Sequence, residues 1–463
     1  MVEYPLLHAF RPEASFAWRG GEPITVETFL KDVAALAAVL PERGYVVNLC
    51  RDRYRFAVGF AAALSRRQVN LLPPHDAATM LDQLAVDYPD LYCLADTPAP
   101  AAPALLRYPV ELVHGSASPE IPTFAADQPA AVLFTSGSTG RPQPHGRSWG
   151  DLVTSTLAAG QRLGLASLHE ASLHRELLHR ESLHGAALLG TVPHQHSYGL
   201  ESLLMLALQH GLVLHAGRPF YPADIIAELA AACRPRLLVT TPVHLRIMLA
   251  EPRDLPPVDV LLSATAPLSV ELARTAEIRF GAALFEIYGC SEAGQIAVRR
   301  TALTEEWRCL DGIVLRQDAA GTWASGVPIA EETLLSDAIV LRDAERFLLR
   351  GRIADLVNIA GKRASLANLN HHLNAIDGVL DGVFVAPDAD DGDAVHRLIA
   401  FAVAPGLDAD AIMAALRCRI DAAFLPRPLH LVAALPRNTL GKLPREEVMR
   451  LLAESRGAID RVT

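Results

Sequence analysis

From Ala130 onward the chain repeatedly sets a short apolar run ahead of a helical pattern, and this alternation limits its fold more than any other feature. Ala130–Thr135 (AAVLFT), Leu188–Val192, Leu212–His215, Leu237–Thr240, Val260–Leu262 and Leu284–Ile287 are such runs. Apolar residues in unbroken succession, without period-two alternation, are what a strand covered on both faces requires. Helical patterns fall between several of them, and Phe29–Leu40 and Arg55–Ser65 read as helices upstream. The expected fold class is α/β, with parallel-rich sheets layered with helices. Past Gly351 the texture changes to a small α+β pattern: Val357–Ile359, a helix at Leu366–Ala375, a strand at Leu398–Val403, a helix at Ala409–Phe424 and a strand at His430–Val432. The 463 residues exceed the roughly 250–300 at which single cores stop growing. We therefore expect a large N-terminal domain at 1–350 and a separate C-terminal domain at 357–463, joined through 351–356.

Composition narrows the function. The net charge is −10, from 42 basic and 52 acidic residues, with no strong basic run, which argues against nucleic acid as a partner. The longest apolar stretch, near Ala57–Leu64, is far below the roughly 18 residues a bilayer span needs, so no membrane insertion is expected. Met1–Arg11 lacks the basic-then-apolar layout of a secretory signal, and the expected location is cytoplasmic. Cys50, Cys93, Cys233, Cys290, Cys309 and Cys418 form no C-x-x-C pair and are expected to be free thiols, mostly small core residues.

Leu165–His184 (LASLHEASLHRELLHRESLH) carries His169, His174, His179 and His184 at five-residue spacing. One reading is a metal-binding tract. On a helix, however, five residues advance about 500°, so successive histidines fan around the axis by about 140°, whereas helical zinc pairs use i and i+4. We adopt the alternative, a tandem duplication forming an exposed extra helix or loop.

The strongest chemical signal is Thr135-Ser136-Gly137-Ser138-Thr139-Gly140-Arg141-Pro142, directly at the end of a predicted strand. Glycines let a backbone approach an anion closely, while hydroxyls and amides donate hydrogen bonds to phosphate oxygens. No Gly-Lys-Ser/Thr follows, so this is not a Walker A loop. The chain also has no G-x-S-x-G nucleophile elbow.

The loop resembles the phosphate loop of the adenylate-forming superfamily, which includes acyl-CoA synthetases, luciferases and nonribosomal adenylation domains. Further segments follow in that superfamily's order. Thr191-Val192-Pro193-His194-Gln195-His196-Ser197-Tyr198-Gly199-Leu200 resembles its substrate-gate motif, and Ser263-Ala264-Thr265-Ala266-Pro267-Leu268 its adenine-facing turn. Tyr288-Gly289-Cys290-Ser291-Glu292 resembles its aromatic-Gly-x-Thr/Ser-Glu motif. Ser336-Asp337, Gly351-Arg352 and Leu435-Pro436-Arg437 with Gly441-Lys442 are similar to its ribose-binding acid, interdomain hinge and C-terminal lysine loop. The resemblance spans roughly residues 20–455.

It implies an adenylate-forming enzyme fold: an ATP- and acyl-binding domain at 1–350, a hinge at 351–356 and a mobile lid at 357–463. It also implies ATP-dependent activation of a carboxylic acid to an acyl-AMP, with pyrophosphate release, ATP and Mg²⁺ as cofactors, and transfer to a thiol. Such a reaction needs its reactants positioned and the charge spreading over phosphate oxygens neutralised. By resemblance, Ser136, Ser138 and Thr139, in a loop with Thr135, Gly137 and Gly140, hold the β/γ-phosphates. Ala264, Thr265 and Ala266 border adenine, and Tyr288, followed by Gly289, offers it a flat face. Ser291 contacts the α-phosphate, Asp337 takes the ribose hydroxyls and Arg352 supports the same sugar. The catalytic set is Glu292, which binds Mg²⁺; His196, at the mouth of the acyl pocket; and Lys442, a mobile charge for the carboxylate and α-phosphate.

Some positions depart from the pattern. Gln143 stands where the phosphate loop usually ends in lysine, so a γ-phosphate contact would come from His145 or Arg147. Ala354, with Asp355 next, replaces the usual hinge Asp or Lys, and Ser365 replaces a usual glutamate. These quirks, with the runs QPHGRSW and HQHSYGLE, resemble the AMP-ligases of xanthomonadin and aryl-polyene pigment clusters. That subgroup loads an aromatic hydroxy acid, such as 3- or 4-hydroxybenzoate, onto the phosphopantetheine of an acyl carrier protein. The expected partners are therefore an aromatic carboxylic acid and a carrier protein, with free CoA as the alternative acceptor of an acyl- or aryl-CoA synthetase. An inactive relative serving as a binding protein is favoured by Gln143 and Ala354 and opposed by Glu292, Asp337, Arg352 and Lys442. A hydrolase built on Ser138 has no supporting glycine run.

Overall fold

The computed structural model describes residues 2–8, 10–73, 77–99, 102–109, 111–115, 119–136, 142–165, 183–352, 356–359, 362–386, 397–437 and 443–459. Among these, two large sheets carry most of the strands. The first runs in the order Pro142–Ser148, Pro129–Ser136, Val69–Leu72, Tyr45–Asn48, Leu91–Ala95, Leu105–Arg107. All its neighbours are parallel except the outer hairpin of Pro142–Ser148 on Pro129–Ser136. The second is centred on Ala283–Cys290, Val260–Ser263, Arg236–Thr240, Ala187–Gly190, Val213–His215 and Ser15–Arg19, parallel throughout. Antiparallel strands extend both of its edges.

The apolar runs of the sequence are these central strands, and their burial explains the lack of alternation: Leu188, Leu237, Leu238, Val260, Leu261 and Leu284 are all inaccessible. Helices cover them for legible reasons. Val26–Val39 starts on Thr25, whose hydroxyl accepts from Thr28 N at 3.1 Å, and buries Val26, Phe29, Leu30, Val33 and Leu36 along one face. Arg53–Ser65 is capped by Asp52 and buried on nearly every side, touching strands of both large sheets.

Arg53 itself is fully buried. Its Nη1 donates to His215 O (2.8 Å) and Gly217 O (2.6 Å), and its Nη2 to Gly190 O (3.0 Å) and Val192 O (3.5 Å). One guanidinium thus satisfies carbonyls at the C-terminal ends of two adjacent parallel strands, which would otherwise be orphaned. Burial lowers its pKa to about 10. Gly190, Thr240, Ser263 and Cys290 end neighbouring parallel strands at this same sheet edge, the edge where open α/β sheets bind ligands.

Past Arg352 the strands belong to other sheets: Leu356–Ile359 with Lys362–Ser365, and Asp381–Val385, Ile399–Val403, Leu429–Leu431. Leu369, Leu373, Phe384, Ile412 and Leu416 form a core of their own on one side of the three-stranded sheet. The expected helix at Ala409–Phe424 is two pieces, Ala409–Arg417 and a 3₁₀ turn at Ala422–Phe424. Asp421 breaks it, because its carboxylate accepts from Ala423 N at 3.0 Å and starts a new turn.

The cysteines are free, but only Cys50, Cys93 and Cys309 are buried; Cys290 is half-buried, and Cys233 and Cys418 are exposed just beyond helix ends. Of the histidine repeat, 166–182 lies outside the described residues. His184 lies 6.3 Å from the Phe10 ring and close against Gly211. Among the described residues no helix is long and apolar enough to cross a membrane.

Candidate active site

The strand Ala283–Cys290 carries Tyr288 to the sheet edge. Its hydroxyl donates to Asp337 Oδ2 at 2.7 Å, and its ring packs 5.6 Å from Phe347 and 5.7 Å from Trp307. The phenol is therefore engaged through its hydroxyl as well as its face. Asp337 lies opposite Arg352 in the antiparallel register of their strands, so the expected adenine, ribose and hinge positions converge from three stretches of sequence. For Arg352 only the backbone is described.

Ser291 and Glu292 follow at the end of the strand, Ser291 half-buried and Glu292 exposed. The outer strand of the first sheet faces them. Its register sets Gln143 against Thr135, His145 against Leu133 and Arg147 against Ala131, and alternate residues share a face. Along that face His145 Nε2 stands 3.9 Å from Glu292 Oε1. Two residues deeper, the Arg147 guanidinium lies over Gly294: a Cβ there would sit 2.4 Å from Nη1, and φ at Gly294 is +76°. Only glycine allows that approach. Arg147 is 4 % exposed, and its Nη2 is buried without a hydrogen-bond partner among the described residues. Thr135 and Ser136 end the neighbouring strand, and Gly137, Ser138, Thr139 and Gly140 lie outside the described residues.

Within Thr191–Leu200, the expected gate motif, His196 is half-buried and its carbonyl accepts from Leu200 N at 2.7 Å. A short turn at Ser197–Gly199 runs into a π-helical turn at Leu200–Met205 and then a helix at Leu206–His210; such wide turns gather at functional sites. The turn presents two polar side chains that the sequence reading missed. Glu201, 1 % exposed, accepts from Ser197 Oγ (2.8 Å), Ser155 Oγ (3.3 Å) and Gln295 N (3.2 Å). Ser202 accepts from Gln295 Nε2 at 3.0 Å. A glutamate in an apolar helical run has no local signal separating it from a surface acid, so only tertiary packing reveals it. Tyr198 donates to Thr240 O at 3.2 Å. His194 is fully buried, with Nε2 on Cys50 O at 2.9 Å and Nδ1 without a hydrogen-bond partner among the described residues. Burial, reinforced by the charge of Arg53, holds its pKa well below the usual histidine value.

The turn after Val260–Ser263 carries Ala264, buried, with Thr265 and Ala266 half-buried. Thr265 has φ +78°, a left-handed conformation that a β-branched residue adopts only under constraint. Lys442 lies outside the described residues. Its neighbour Arg437 forms a two-pronged pair with Asp381, Nε–Oδ2 2.6 Å and Nη2–Oδ1 2.7 Å. Among the described residues no group of three His, Cys, Asp or Glu side chains could hold a metal ion alone.

Comparison with known proteins adds an independent line. The AMP-binding enzyme family profile matches residues 34–316. A 4-coumarate–CoA ligase of Halorhodospira halophila is 28% identical over 334 residues, covering 69% of this chain and 76% of the relative. An indoleacetate–CoA ligase of Aromatoleum aromaticum is 25% identical over 379 residues, covering 73% of this chain and 70% of that one. The o-succinylbenzoate–CoA synthetase of Bacillus subtilis, solved with its acyl-adenylate intermediate, superposes with a TM-score of 0.78 at 16% identity over 97% of this chain and 98% of its own.

Proposed function

Because the chain belongs to the AMP-binding enzyme family, we propose that it activates an aromatic carboxylic acid as an acyl-AMP and passes the acyl group to a thiol. The observation that carries this reading is the Tyr288–Asp337 hydrogen bond, 2.7 Å long and joining motifs 49 residues apart, beside Glu292 at the same sheet edge. In the first step a carboxylate oxygen attacks the α-phosphorus of ATP and pyrophosphate leaves. In the second the thiol attacks the acyl carbonyl and AMP leaves. Asp337 accepts from the ribose hydroxyls, and Arg352, its cross-strand neighbour, borders the same sugar. Ala264, Thr265 and Ala266 line the adenine. Ser291 and the Thr135–Gly140 loop bind the phosphates, and His196 orients the acid.

Glu292 fits a metal that takes most of its ligands from phosphate: it is one exposed carboxylate, and no group of three or more ligating side chains is found among the described residues. Mg²⁺ prefers that arrangement, one or two protein carboxylates plus substrate phosphates, and supplies charge neutralisation when bound. His145, 3.9 Å from Glu292, offers a ring nitrogen at the phosphate end, where Gln143 stands in place of the usual lysine. Residues 357–463 act as a lid carrying Lys442, with 351–356 as hinge.

For the acceptor we favour the phosphopantetheine of a carrier protein, on the runs Gln143–Trp149 and His194–Glu201. The second reading is free CoA, favoured by the named activities of the relatives, which are CoA ligases. Pyrophosphate release, screened over aryl and fatty acids with saturating ATP and Mg²⁺, tests the first step; release with none of them refutes it. Offering holo-carrier protein and CoA together at equal thiol concentration, with products separated by mass, decides the acceptor: predominant acyl-CoA refutes the carrier-protein assignment.

A further inference from the structure

Arg147 is the least explained charged group near the proposed site. Its side chain is 4 % exposed, yet it makes no ion pair among the described residues and leaves Nη2 buried without a partner. A buried guanidinium without an acceptor is costly, so a protein keeps one where a ligand completes it. Its position says which ligand. The shared face of Gln143, His145 and Arg147 steps away from the phosphate loop, because Gln143 pairs with Thr135 at the loop and Arg147 with Ala131, four residues down the strand. At about 3.3 Å per residue this is about 13 Å. His145 meets Glu292 at the metal and phosphate level, whereas Arg147 meets Gly294, one level deeper. The next residue, Gln295, donates its backbone N–H to Glu201 and its side chain to Ser202, both on the wide helical turn that follows His196. Arg147 thus lies towards the turn that follows His196 and away from the phosphate loop, which on the adenylation reading is the side of the acid. Glu201 is not its ion-pair partner among the described residues: its carboxylate accepts from Ser155, Ser197 and Gln295.

We propose that Arg147 is a specificity residue for the acid substrate, donating through Nη2 to an oxygen acceptor carried at the end remote from the carboxylate that is adenylated. This rests on the adenylation reading above. The acceptor is a ring hydroxyl or a second carboxylate; both offer the lone pair that Nη2 lacks, and a carboxylate also balances the charge.

The test compares benzoate, 3- and 4-hydroxybenzoate, and the corresponding benzenedicarboxylates in pyrophosphate release, with wild type, Arg147→Met and Arg147→Lys. Wild type should favour one oxygen-bearing class over benzoate by at least tenfold in kcat/KM, and the class preferred identifies the acceptor. In Arg147→Met that ratio should fall at least tenfold, through the KM for the acid, with the KM for ATP moving less than threefold; Arg147→Lys should recover part of it. Wild type that uses benzoate as well as its substituted forms overturns this inference and leaves adenylation standing, even if the variants do not fold. An equal loss for all acids in Arg147→Met, or a raised KM for ATP, also overturns it. Wild type for which none of the aryl or fatty acids supports pyrophosphate release overturns the adenylation reading, and this inference with it.

Discussion

Single side chains at the sheet edge divide into those that act by being open to ligand and those that act by being sealed. Glu292 belongs to the first kind: it is an exposed carboxylate just past the end of a buried strand. Losing a charge that is aimed at a developing transition state costs on the order of 10²–10³ in turnover. Glu292→Ala should therefore lower acid-dependent pyrophosphate release by at least about a hundredfold at saturating Mg²⁺, with the melting temperature little changed; near-normal turnover would sink the assignment. His244 belongs to the second kind. Its Nδ1 lies 2.9 Å from Thr241 Oγ1 and its ring 5.6 Å from Phe220. Burial, with help from Arg218, lowers its pKa from 6.5 to about 4. Between those values the unfolded chain binds a proton that the folded chain refuses. The contribution is thus fully present above about pH 6.5 and is lost as pH falls toward 4, a change on the order of 3 kcal/mol. His194 pushes the same way. Urea unfolding at pH 7 and pH 4.5 should show this loss, and His244→Gln should flatten it; an unchanged pH slope in that variant would refute the account.

The proposed gate segment, Thr191–Leu200, ties element geometry to sequence tightly. A Cβ on Gly199 would sit 1.9 Å from the Pro193 carbonyl oxygen and 2.7 Å from its carbon. Both are backbone atoms, so no rotamer relieves the clash. Gly199→Ala should cost about 1–3 kcal/mol and raise the KM for the acid more than that for ATP, because it forces apart the segment bearing His196. Urea unfolding together with the two KM values checks this; no change in either would mean that the segment yields freely. The central strands were legible because burial on both faces leaves unbroken apolar runs. Tyr288 and Asp337 are each marked in the sequence by a motif, but the hydrogen bond between them is not. Glu201, Gln295 and the setting of Arg147 were not legible: their roles depend on which strand lies beside which, and residue spacing carries no trace of that register. The Ala409–Phe424 helix was over-extended for a related reason. Asp421 looks like any polar helix-surface residue until its side chain is seen to cap a new turn.

At the scale of the whole molecule, the open question is how residues past Arg352 serve a site built before it. Arg246, on the helix Pro242–Leu249, feels charges from residues past Arg352. Burial lowers its pKa, with Asp381 opposing that shift and Arg437 adding to it. Asp381 and Arg437 are the pair that anchors the chain just before Lys442, so the lysine segment leaves from a point that is fixed within its own region and close to the large sheet's helices. We propose that this region, which has its own core, turns as a body; such rotations let one pocket serve two chemistries. The prediction follows from which step needs the charge. Adenylation builds negative charge at the α-phosphate and requires a cation there, whereas thiol attack on an acyl-AMP already in place does not. Lys442→Ala should lower acyl-AMP formation by at least about a hundredfold, yet transfer the acyl group from supplied acyl-AMP at close to the wild-type rate. Both half-reactions can be followed by mass spectrometry of the thioester product, starting from acid plus ATP in one assay and from synthetic acyl-AMP in the other. An equal loss in the two would mean that Lys442 stays in the site throughout and that the region past Arg352 does not alternate.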